Sequence, residues 1–223
     1  MLKQLETLWA AATPTELIVA TLVILVSFII LVRLILSSSK SRGPDITLIT
    51  GPCGSGKTLL FHHWQSPEIK IKTVTSQCVN RGKVFGKNEI VDYPGHPRLR
   101  GGLIGFLPRA NKIVFLVNED LKSASELLYD ILVTKSLRPS SKMLICTDST
   151  KNIDSLVKNL NAQMELLRTS RMQGELEGDI DQYLGVDGEA FDLRTHSPII
   201  VQFGTASVAN GQVDDIESFI ASN

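Results

Sequence analysis

Residues 51–58 of this chain are Gly51-Pro52-Cys53-Gly54-Ser55-Gly56-Lys57-Thr58. This stretch matches the pattern G-x-x-x-x-G-K-[ST] and directly follows the apolar residues 46–50. In loops of this pattern the glycines let successive backbone N–H groups face a phosphate, and the positive end of the next helix points at the same anion. The stretch therefore predicts a strand, a phosphate-binding loop and a helix that together hold a nucleotide.

The groups of this loop have distinct expected roles. Lys57 is expected to reach the β and γ phosphates, and the Thr58 hydroxyl is expected to ligate Mg²⁺. The other phosphate contacts are expected from Gly51, Cys53, Gly54, Ser55, Gly56 and Leu59. A glycine-rich turn without a ligand is the alternative, but the position between a strand and a helix favours the nucleotide site.

A second motif, Asp92-Tyr93-Pro94-Gly95, ends another apolar run further along the chain. An aspartate at the end of a strand can hold Mg²⁺ through water, and the Gly95 N–H can meet a γ-phosphate. Because Asp, Pro and Gly also make ordinary turns, the tetrapeptide alone is weak evidence. Combined with the phosphate loop before it, the tetrapeptide favours an NTPase that switches conformation with its nucleotide.

Such a switch needs one more hydroxyl to complete the Mg²⁺ shell when triphosphate is bound. The segment Lys72-Thr73-Val74-Thr75-Ser76 lies between the two motifs. We expect Thr75 to supply the hydroxyl, with Thr73 as the second candidate, although both are also ordinary strand residues. The bound nucleotide is expected to order residues 70–75 and the loop after Gly95.

The segment that should read the base departs from the usual pattern. Guanine is usually read by Asn/Thr-Lys-x-Asp after the fifth strand, whereas this chain has Thr147-Asp148-Ser149-Thr150. Thr147 fits the first position, but the lysine is missing, and Asp148 could read the base only with a shifted backbone. Further on, Thr205-Ala206-Ser207 is similar to the S/T-A-K loop whose backbone contacts the base. GTP is the expected ligand, and ATP stays open.

From residue 44 onward, short apolar runs alternate with helical patterns. Strands are predicted at 46–50, 79–85, 89–92, 113–117, 143–146 and 199–203. Helices are predicted at 123–133, with Ser123 and Glu126 as a capping box, at 153–167 and at 213–220. Alternating strands and helices predict an α/β fold with a mostly parallel sheet covered on both faces. Residues 174–196 are rich in Gly, Asp and Glu, and their few apolar residues predict a long surface excursion.

The composition excludes several functions. The 23 basic and 23 acidic residues balance, so the chain has no net positive charge that would favour direct reading of nucleic acid. Cys53, Cys78 and Cys146 are an odd number at unrelated spacings, which is typical of neither a disulfide framework nor a zinc site. This cysteine usage suits a reducing cytosol.

A segment of a different kind precedes the nucleotide-binding region. Residues 17–36 are apolar except for Thr21, Ser27 and Arg33. A helix of this length extends over ~30 Å, the thickness of a hydrocarbon core. A buried soluble helix would have a polar face, and a signal peptide would have a basic start and a shorter apolar core. The sequence therefore predicts one transmembrane helix, with Arg33 close enough to its end to reach the headgroups.

Flanking charges predict how this helix is oriented. The linker 37–43 carries Lys40 and Arg42, whereas residues 1–16 carry Lys3 against Glu6 and Glu16. The positive-inside rule then places the large domain, residues 44–223, in the cytosol. The short N-terminus, residues 1–16, is expected outside or in a lumen.

The order of these motifs behind a membrane span resembles the family of the signal recognition particle receptor beta subunit, near the Arf and Sar branch of small GTPases. The resemblance covers nearly the whole chain and implies a small-GTPase-like P-loop fold. Its specific points are Asp92-Tyr93-Pro94-Gly95-His96 followed by Leu99-Arg100, Thr75-Ser76, Leu167-Arg168-Thr169-Ser170-Arg171, Phe191-Asp192 and Asp215-Ile216.

The resemblance also implies ligands, a partner and a place. It implies GTP with Mg²⁺, and a GTP-bound face that holds the alpha subunit of the receptor on the endoplasmic reticulum membrane. It implies a single-pass protein with its large domain in the cytosol. Such a protein helps ribosomes with nascent chains to reach the translocation channel.

Two function classes stay open, and His96 separates them. In a tether, the nucleotide stabilises a partner-binding surface and hydrolysis is slow or absent; in a hydrolase, the protein works by cycling, as Arf- and Sar-like GTPases do in trafficking. His96 occupies the position where fast GTPases usually carry a water-orienting glutamine, and no arginine finger is identifiable in the sequence. The tether is therefore favoured, with His96 as the candidate catalytic residue of the hydrolase. An anchored ATPase is the third interpretation, because the base motif is altered.

Overall fold

The computed structural model describes residues 14–37, 44–66, 76–84, 88–174, 184–186 and 188–222. The chain forms two units, Met1–Arg42 and Gly43–Asn223. The first unit contains helix α1 (Pro14–Ser37), along which residues 18–28 are exposed. Within the described ranges, no helix has both the length and the apolar character that a membrane span requires. The transmembrane helix at 17–36 therefore stays a prediction.

The second unit is built on a six-stranded sheet in the order β2-β3-β1-β4-β5-β6. All neighbouring strands run parallel except the edge strand β2, which is antiparallel to β3. The six predicted strands are confirmed, with ends shifted by up to three residues, and residues 85–87 lie outside the described ranges. The strands are β1 (Ile46–Thr50), β2 (Asn80–Val84), β3 (Asn88–Asp92), β4 (Ala110–Leu116), β5 (Lys142–Thr147) and β6 (Ile200–Thr205).

Helices connect the strands of this unit. They are α2 (Lys57–Gln65), α3 (Arg100–Leu103), α4 (Leu121–Val133), α5 (Ile153–Gly174), α6 (Leu193–His196) and α7 (Asp214–Ala221). The predicted capping box at the start of α4 is wrong. Asp120 caps this helix, because its carboxylate accepts from the Ser123 N–H at 3.1 Å. Ser123 lies inside the helix, and the Glu126 carboxylate lies 3.5 Å from the Arg100 guanidinium.

Both faces of the sheet are covered by apolar helix stripes, as the alternation of strands and helices predicts. On one face α4 and α5 bury Leu127, Leu128, Ile131, Leu156, Leu160 and Met164 against the sheet. On the other face α2 and α7 bury Leu60, Phe61, Ile216, Phe219 and Ile220. Along β4, Ile113 and Phe115 belong to the first core and Val114 and Leu116 to the second. This two-sided core holds the strand ends in fixed positions.

The described part of residues 174–196 corrects the prediction of a surface excursion. Leu184, Phe191 and Leu193 are buried in the core beside α5. The buried Arg168 guanidinium donates to the carbonyls of Val186 at 3.1 Å and Glu189 at 2.6 Å. A few apolar side chains and one buried guanidinium therefore fix this segment on the domain, although the sequence around them is polar.

Candidate nucleotide-binding site

The carboxyl ends of the parallel strands place the predicted motifs at one edge of the sheet, where open α/β sheets bind ligands. The phosphate loop follows β1, and the segment from Asp92 to Gly95 follows β3. Asn118 follows β4, Thr147 ends β5, and Ala206 follows β6. Residues that are far apart in the sequence therefore meet around one cleft.

The phosphate loop has the glycine conformations that its motif requires. Gly51, Gly54 and Gly56 have φ of 144°, 74° and 85°, in the region that favours glycine. A Cβ on Gly51 would lie 2.2 Å from the Leu116 carbonyl oxygen, so no larger residue fits against β4 there. Helix α2 begins immediately after Gly56. The loop and the helix N-terminus together form the anion-binding arrangement that the sequence predicts.

Lys57 folds back over its own loop. Its ammonium donates to the Pro52 carbonyl at 2.6 Å and to the Ser55 hydroxyl at 3.2 Å. Burial lowers the pKa of this ammonium, and the nearby Asp92 and Cys53 oppose that shift. A phosphate oxygen would be a stronger, charge-assisted partner than a neutral carbonyl.

The predicted metal residues Thr58 and Asp92 meet beneath this loop. The Thr58 hydroxyl donates to Asp92 Oδ2 at 2.9 Å and lies 2.9 Å from the Ser76 hydroxyl. The Asn80 amide donates to the same Asp92 oxygen at 2.9 Å. The second carboxylate oxygen, Oδ1, is buried and has no hydrogen-bond partner.

An unpartnered buried carboxylate oxygen costs free energy unless a ligand satisfies it. Hydroxyl and carboxylate oxygens are the ligands that Mg²⁺ prefers, commonly with water completing the shell. Thr58 and Asp92 therefore fit a magnesium ion beside bound phosphates. The predicted Thr75 and its alternative Thr73 lie outside the described residues, as do all of residues 67–75.

Asn80 and Ser76 join this cluster, although neither was predicted. Asn80 stands opposite Asp92 in the antiparallel register of β2 and β3, which the sequence of either strand does not specify. Ser76 lies 18 residues from Thr58 in the sequence, and no local pattern specifies the contact between their hydroxyls.

Gly95 lies directly against the phosphate loop, as its predicted role requires. A Cβ on Gly95 would stand 2.3 Å from the Gly51 oxygen and 2.8 Å from the Cys53 nitrogen. The Asn118 amide donates to the Cys53 carbonyl at 2.8 Å. Gly95 and Asn118 therefore both contact the loop at Cys53. In the sequence, Asn118 is marked only by its position just after a central strand, and that position alone is weak evidence for a role in the site.

Beside the phosphate loop the cleft has a volume of about 350 Å³. Of the residues predicted to contact the base, Thr147, Asp148 and Ala206 line it, whereas Thr205 and Ser207 do not. The lining residues are Gly54, Ser55, Gly56, Leu59, Leu116, Val117, Asn118, Glu119, Cys146, Thr147, Asp148, Thr150, Lys151, Ala206, Val208 and Ala209. The cleft therefore connects the phosphate loop with the predicted base-reading segments.

The loop after β6 uses its polar groups mainly within the protein. The Ala206 N–H donates to the Thr147 carbonyl at 2.8 Å, and the Ser207 N–H donates to Gln212 at 2.9 Å. The Thr205 N–H donates to the Asp215 carboxylate at 2.8 Å. These bonds fix the loop, but they occupy the three backbone donors that the sequence assigned to the base.

Asp148 is exposed at the cleft and turned toward its own loop. Its Oδ1 accepts from the backbone N–H and the hydroxyl of Thr150, each at 3.0 Å. The backbone bond from Thr150, with the hydroxyl bond second, holds the pKa of this carboxyl below its usual value. A carboxylate at this position is chemically able to accept from guanine N–H groups.

His96 is not among the residues that line the 350 Å³ cleft, and neither are Lys57, Thr58, Asp92 and Gly95. The His96 side chain is exposed, and its Nδ1 accepts from the Arg98 N–H at 3.2 Å. His96 thereby caps the short 3₁₀ helix Pro97–Leu99. Because Nδ1 is an acceptor, the neutral ring carries its proton on Nε2.

The strand order, the phosphate loop and the aspartate at the end of β3 define a P-loop nucleotide-binding protein with a small-GTPase-like fold. The family model for the signal recognition particle receptor beta subunit matches residues 42–182, and the chain belongs to this family.

Individual relatives agree with this assignment. The chain is 26% identical to the signal recognition particle receptor subunit beta of Homo sapiens, in a match that covers 94% of this chain and 86% of the relative. A chain in the structure of the mammalian SRP receptor superposes with a TM-score of 0.69 at 26% identity, covering 79% of this chain and 98% of that one. In fold alone, the chain is also similar to the Chaetomium thermophilum signal recognition particle receptor SRβ–GDP–Mg structure, with a TM-score of 0.57 at 19% identity, covering 79% of this chain and 96% of that one.

Proposed function

We propose that this chain is the membrane-anchored GTP-binding subunit that tethers the alpha subunit of a signal recognition particle receptor to the endoplasmic reticulum. The observation that carries the proposal is the pairing of Thr58 with Asp92 beneath a complete phosphate loop, with one Asp92 oxygen left free for a ligand. Family membership supplies the biological context, which is cotranslational protein targeting.

In this proposal each group of the site has one task. The phosphate loop and the N-terminus of α2 bind the phosphate chain, and Lys57 exchanges its bond to the Pro52 carbonyl for one to a phosphate oxygen. Thr58 and Asp92 would hold Mg²⁺, which neutralises phosphate charge. Gly95 lies against the loop, so a γ-phosphate there would meet its backbone and order the segment that follows. That ordered segment would form part of the surface that the partner binds.

Slow hydrolysis fits this role better than rapid cycling. His96 is the candidate for orienting water, but its side chain is exposed and its Nδ1 accepts from the Arg98 N–H. A catalytic group must reach the reacting atoms within hydrogen-bond distance, directly or through one water. A tether needs only retention of the nucleotide, which the phosphate loop and metal residues provide.

The proposed anchor is the apolar stretch 17–36. It is supported by its length and composition and by helix α1, whose large apolar side chains such as Leu22 and Phe28 are exposed. The basic linker 37–43 would place residues 44–223 in the cytosol, where ribosomes and the translocation channel are within reach. The short N-terminus would then be lumenal.

Capture of the alpha subunit by the full chain tests the proposal. With GTP and Mg²⁺ the wild-type chain is expected to retain the alpha subunit, and Thr58→Asn is expected to release it because the metal and triphosphate are held less tightly. Binding that survives Thr58→Asn, although the variant has lost its nucleotide, would contradict a nucleotide-gated tether.

A further inference from the structure

Glu119 and Lys151 face each other across the cleft and come from two different loops. Glu119 follows β4 and Lys151 follows β5, and these strands are neighbours in the sheet. Both residues line the cleft, and the Lys151 ammonium lies 3.8 Å from Glu119 Oε1. Neither residue belongs to the phosphate loop, to the metal cluster or to the motifs expected to read the base.

The position of Lys151 is fixed by its backbone, and its ammonium remains available. The Lys151 N–H donates to the Asp148 carbonyl at 2.9 Å, which closes the turn that carries both residues. The ion pair with Glu119 is long and exposed, with 41% and 93% of the two side chains accessible. Such a pair contributes little to stability, and an ammonium has three donors, so Lys151 can donate to a ligand while it stays beside Glu119.

Two neighbouring polar groups are already engaged, whereas the buried Thr147 hydroxyl has no partner. The Thr147 carbonyl accepts from Ala206, and the Thr150 hydroxyl donates to Asp148. The charged side chains that line the cleft are Glu119, Asp148 and Lys151. Lys151 alone among these three is a donor without acceptor capacity.

We propose that Lys151 is the specificity-determining residue for the base, and that it selects a 6-oxopurine by donating to the O6 atom. The inference rests on the proposed function, because it concerns the base end of the same nucleotide cleft. Glu119 is the positioning residue that keeps the ammonium over the cleft. Lys151 thereby supplies a donor that the altered motif, which lacks its usual lysine, does not provide.

The chemistry of the two purine edges supports this choice. Guanine presents an acceptor at O6 and donors at N1 and N2, whereas adenine presents a 6-amino donor and an N1 acceptor. An ammonium facing position 6 can therefore donate to guanine O6, whereas it would meet another donor in the 6-amino group of adenine. The Asp148 carboxylate, on the same turn, can accept from guanine N1–H and N2–H. A site built to hydrogen-bond one group strongly rejects an analogue that lacks it.

Nucleotide binding by the full chain, purified in mild detergent with Mg²⁺, tests the inference. Four triphosphates are compared: GTP and ITP, which carry O6, and ATP and 2-aminopurine riboside triphosphate, which do not. Lys151→Met keeps the alkyl chain and the backbone bond but removes the charge. It is expected to lower the affinity for GTP and ITP by ~10-fold or more, on the scale of a hydrogen bond to a charged group, and to leave the other two unchanged.

Two further variants provide a control and a test of the positioning residue. Lys158→Met removes an exposed lysine on α5 that does not line the cleft, and should change none of the four affinities. Glu119→Gln should reduce GTP binding in the same direction as Lys151→Met, by a smaller factor. An equal loss for all four nucleotides on Lys151→Met would show that the ammonium acts on phosphate, and no loss at all would show that it does not contact the ligand. Either result overturns the inference while leaving the proposed function intact, whereas a wild-type chain that binds none of the four overturns both.

Discussion

The Thr58 hydroxyl donates to Asp92 Oδ2 at 2.9 Å and so joins the end of the phosphate loop to the end of β3. The Asp92 side chain is buried at the end of β3, yet its Oδ1 has no hydrogen-bond partner. A carboxylate held from one side and free on the other is arranged to receive a cation rather than to stabilise the fold alone. This pair is the physical link between the two nucleotide motifs.

The role of Asn80 can be tested through the metal dependence of nucleotide binding. Asn80→Ala removes the amide that holds Asp92 Oδ2, so Asp92 becomes less well oriented. We expect about ten times more Mg²⁺ to be needed for half-maximal GTP binding, the lower end of the usual effect of losing a group that orients a metal ligand. Isothermal titration at a series of Mg²⁺ concentrations measures this shift.

The matched control for Asn80 is Gln65→Ala, which removes a side-chain bond to the Lys83 carbonyl of the same strand β2 without touching Asp92. It should leave the Mg²⁺ dependence unchanged. If both variants shift the midpoint equally, disturbance of β2 rather than orientation of Asp92 is the cause.

Gly95→Ala should damage both the fold and the site. Its Cβ would stand 2.3 Å from the Gly51 oxygen and 2.7 Å from the Pro52 carbonyl carbon, and backbone atoms cannot move aside as a flexible side chain can. We expect a loss of ~1–3 kcal/mol in the free energy of unfolding, together with weaker GTP binding. Thermal denaturation and nucleotide titration measure the two effects.

Gly101→Ala is the control for this glycine, because a Cβ on Gly101 meets nothing within 4 Å and the residue lies in α3. It should be neutral or slightly stabilising. Equal behaviour of the two alanine variants would mean that Gly95 does not pack tightly against the loop.

The sequence predicted the parts of this site that a local pattern specifies. The eight-residue motif predicted the loop between β1 and α2, and the strand end at Asp92 predicted a second motif, whose aspartate the structure places against Thr58. Asn80 was missed because its contact depends on the register of two antiparallel strands. The capping box at Ser123 was wrong because Asp120, three residues earlier, competes for the same N–H. The burial of Leu184 and Phe191 was missed because isolated apolar residues have no periodicity to reveal them.

His96→Ala distinguishes the tether from the enzyme. In the tether, nucleotide affinity and capture of the alpha subunit stay nearly intact, and an already slow hydrolysis barely changes. In an efficient enzyme the same change lowers hydrolysis by ~100-fold or more. Single-turnover hydrolysis and alpha-subunit pull-down measure both quantities. His96→Asn serves as the control, since asparagine can still accept from the Arg98 N–H and preserve the cap. A large loss of hydrolysis rate in both variants would contradict the tether interpretation.

The proposed anchor and its orientation can be tested in sealed microsomes. If the apolar stretch 17–36 spans the membrane as proposed, the chain should resist extraction with alkaline carbonate. Because the basic linker follows the span, added protease should digest the large domain without detergent. Extraction into the supernatant would contradict the anchor, and protection of the large domain would reverse the proposed orientation.

Equilibrium dialysis of the full chain with GTP tests whether Thr58 and Asp92 hold Mg²⁺ beside a bound triphosphate. We expect saturable GTP binding at millimolar Mg²⁺, marked weakening when EDTA removes the metal, and a comparable loss in Thr58→Asn. Absence of GTP binding by the wild-type chain at millimolar Mg²⁺ would contradict this expectation.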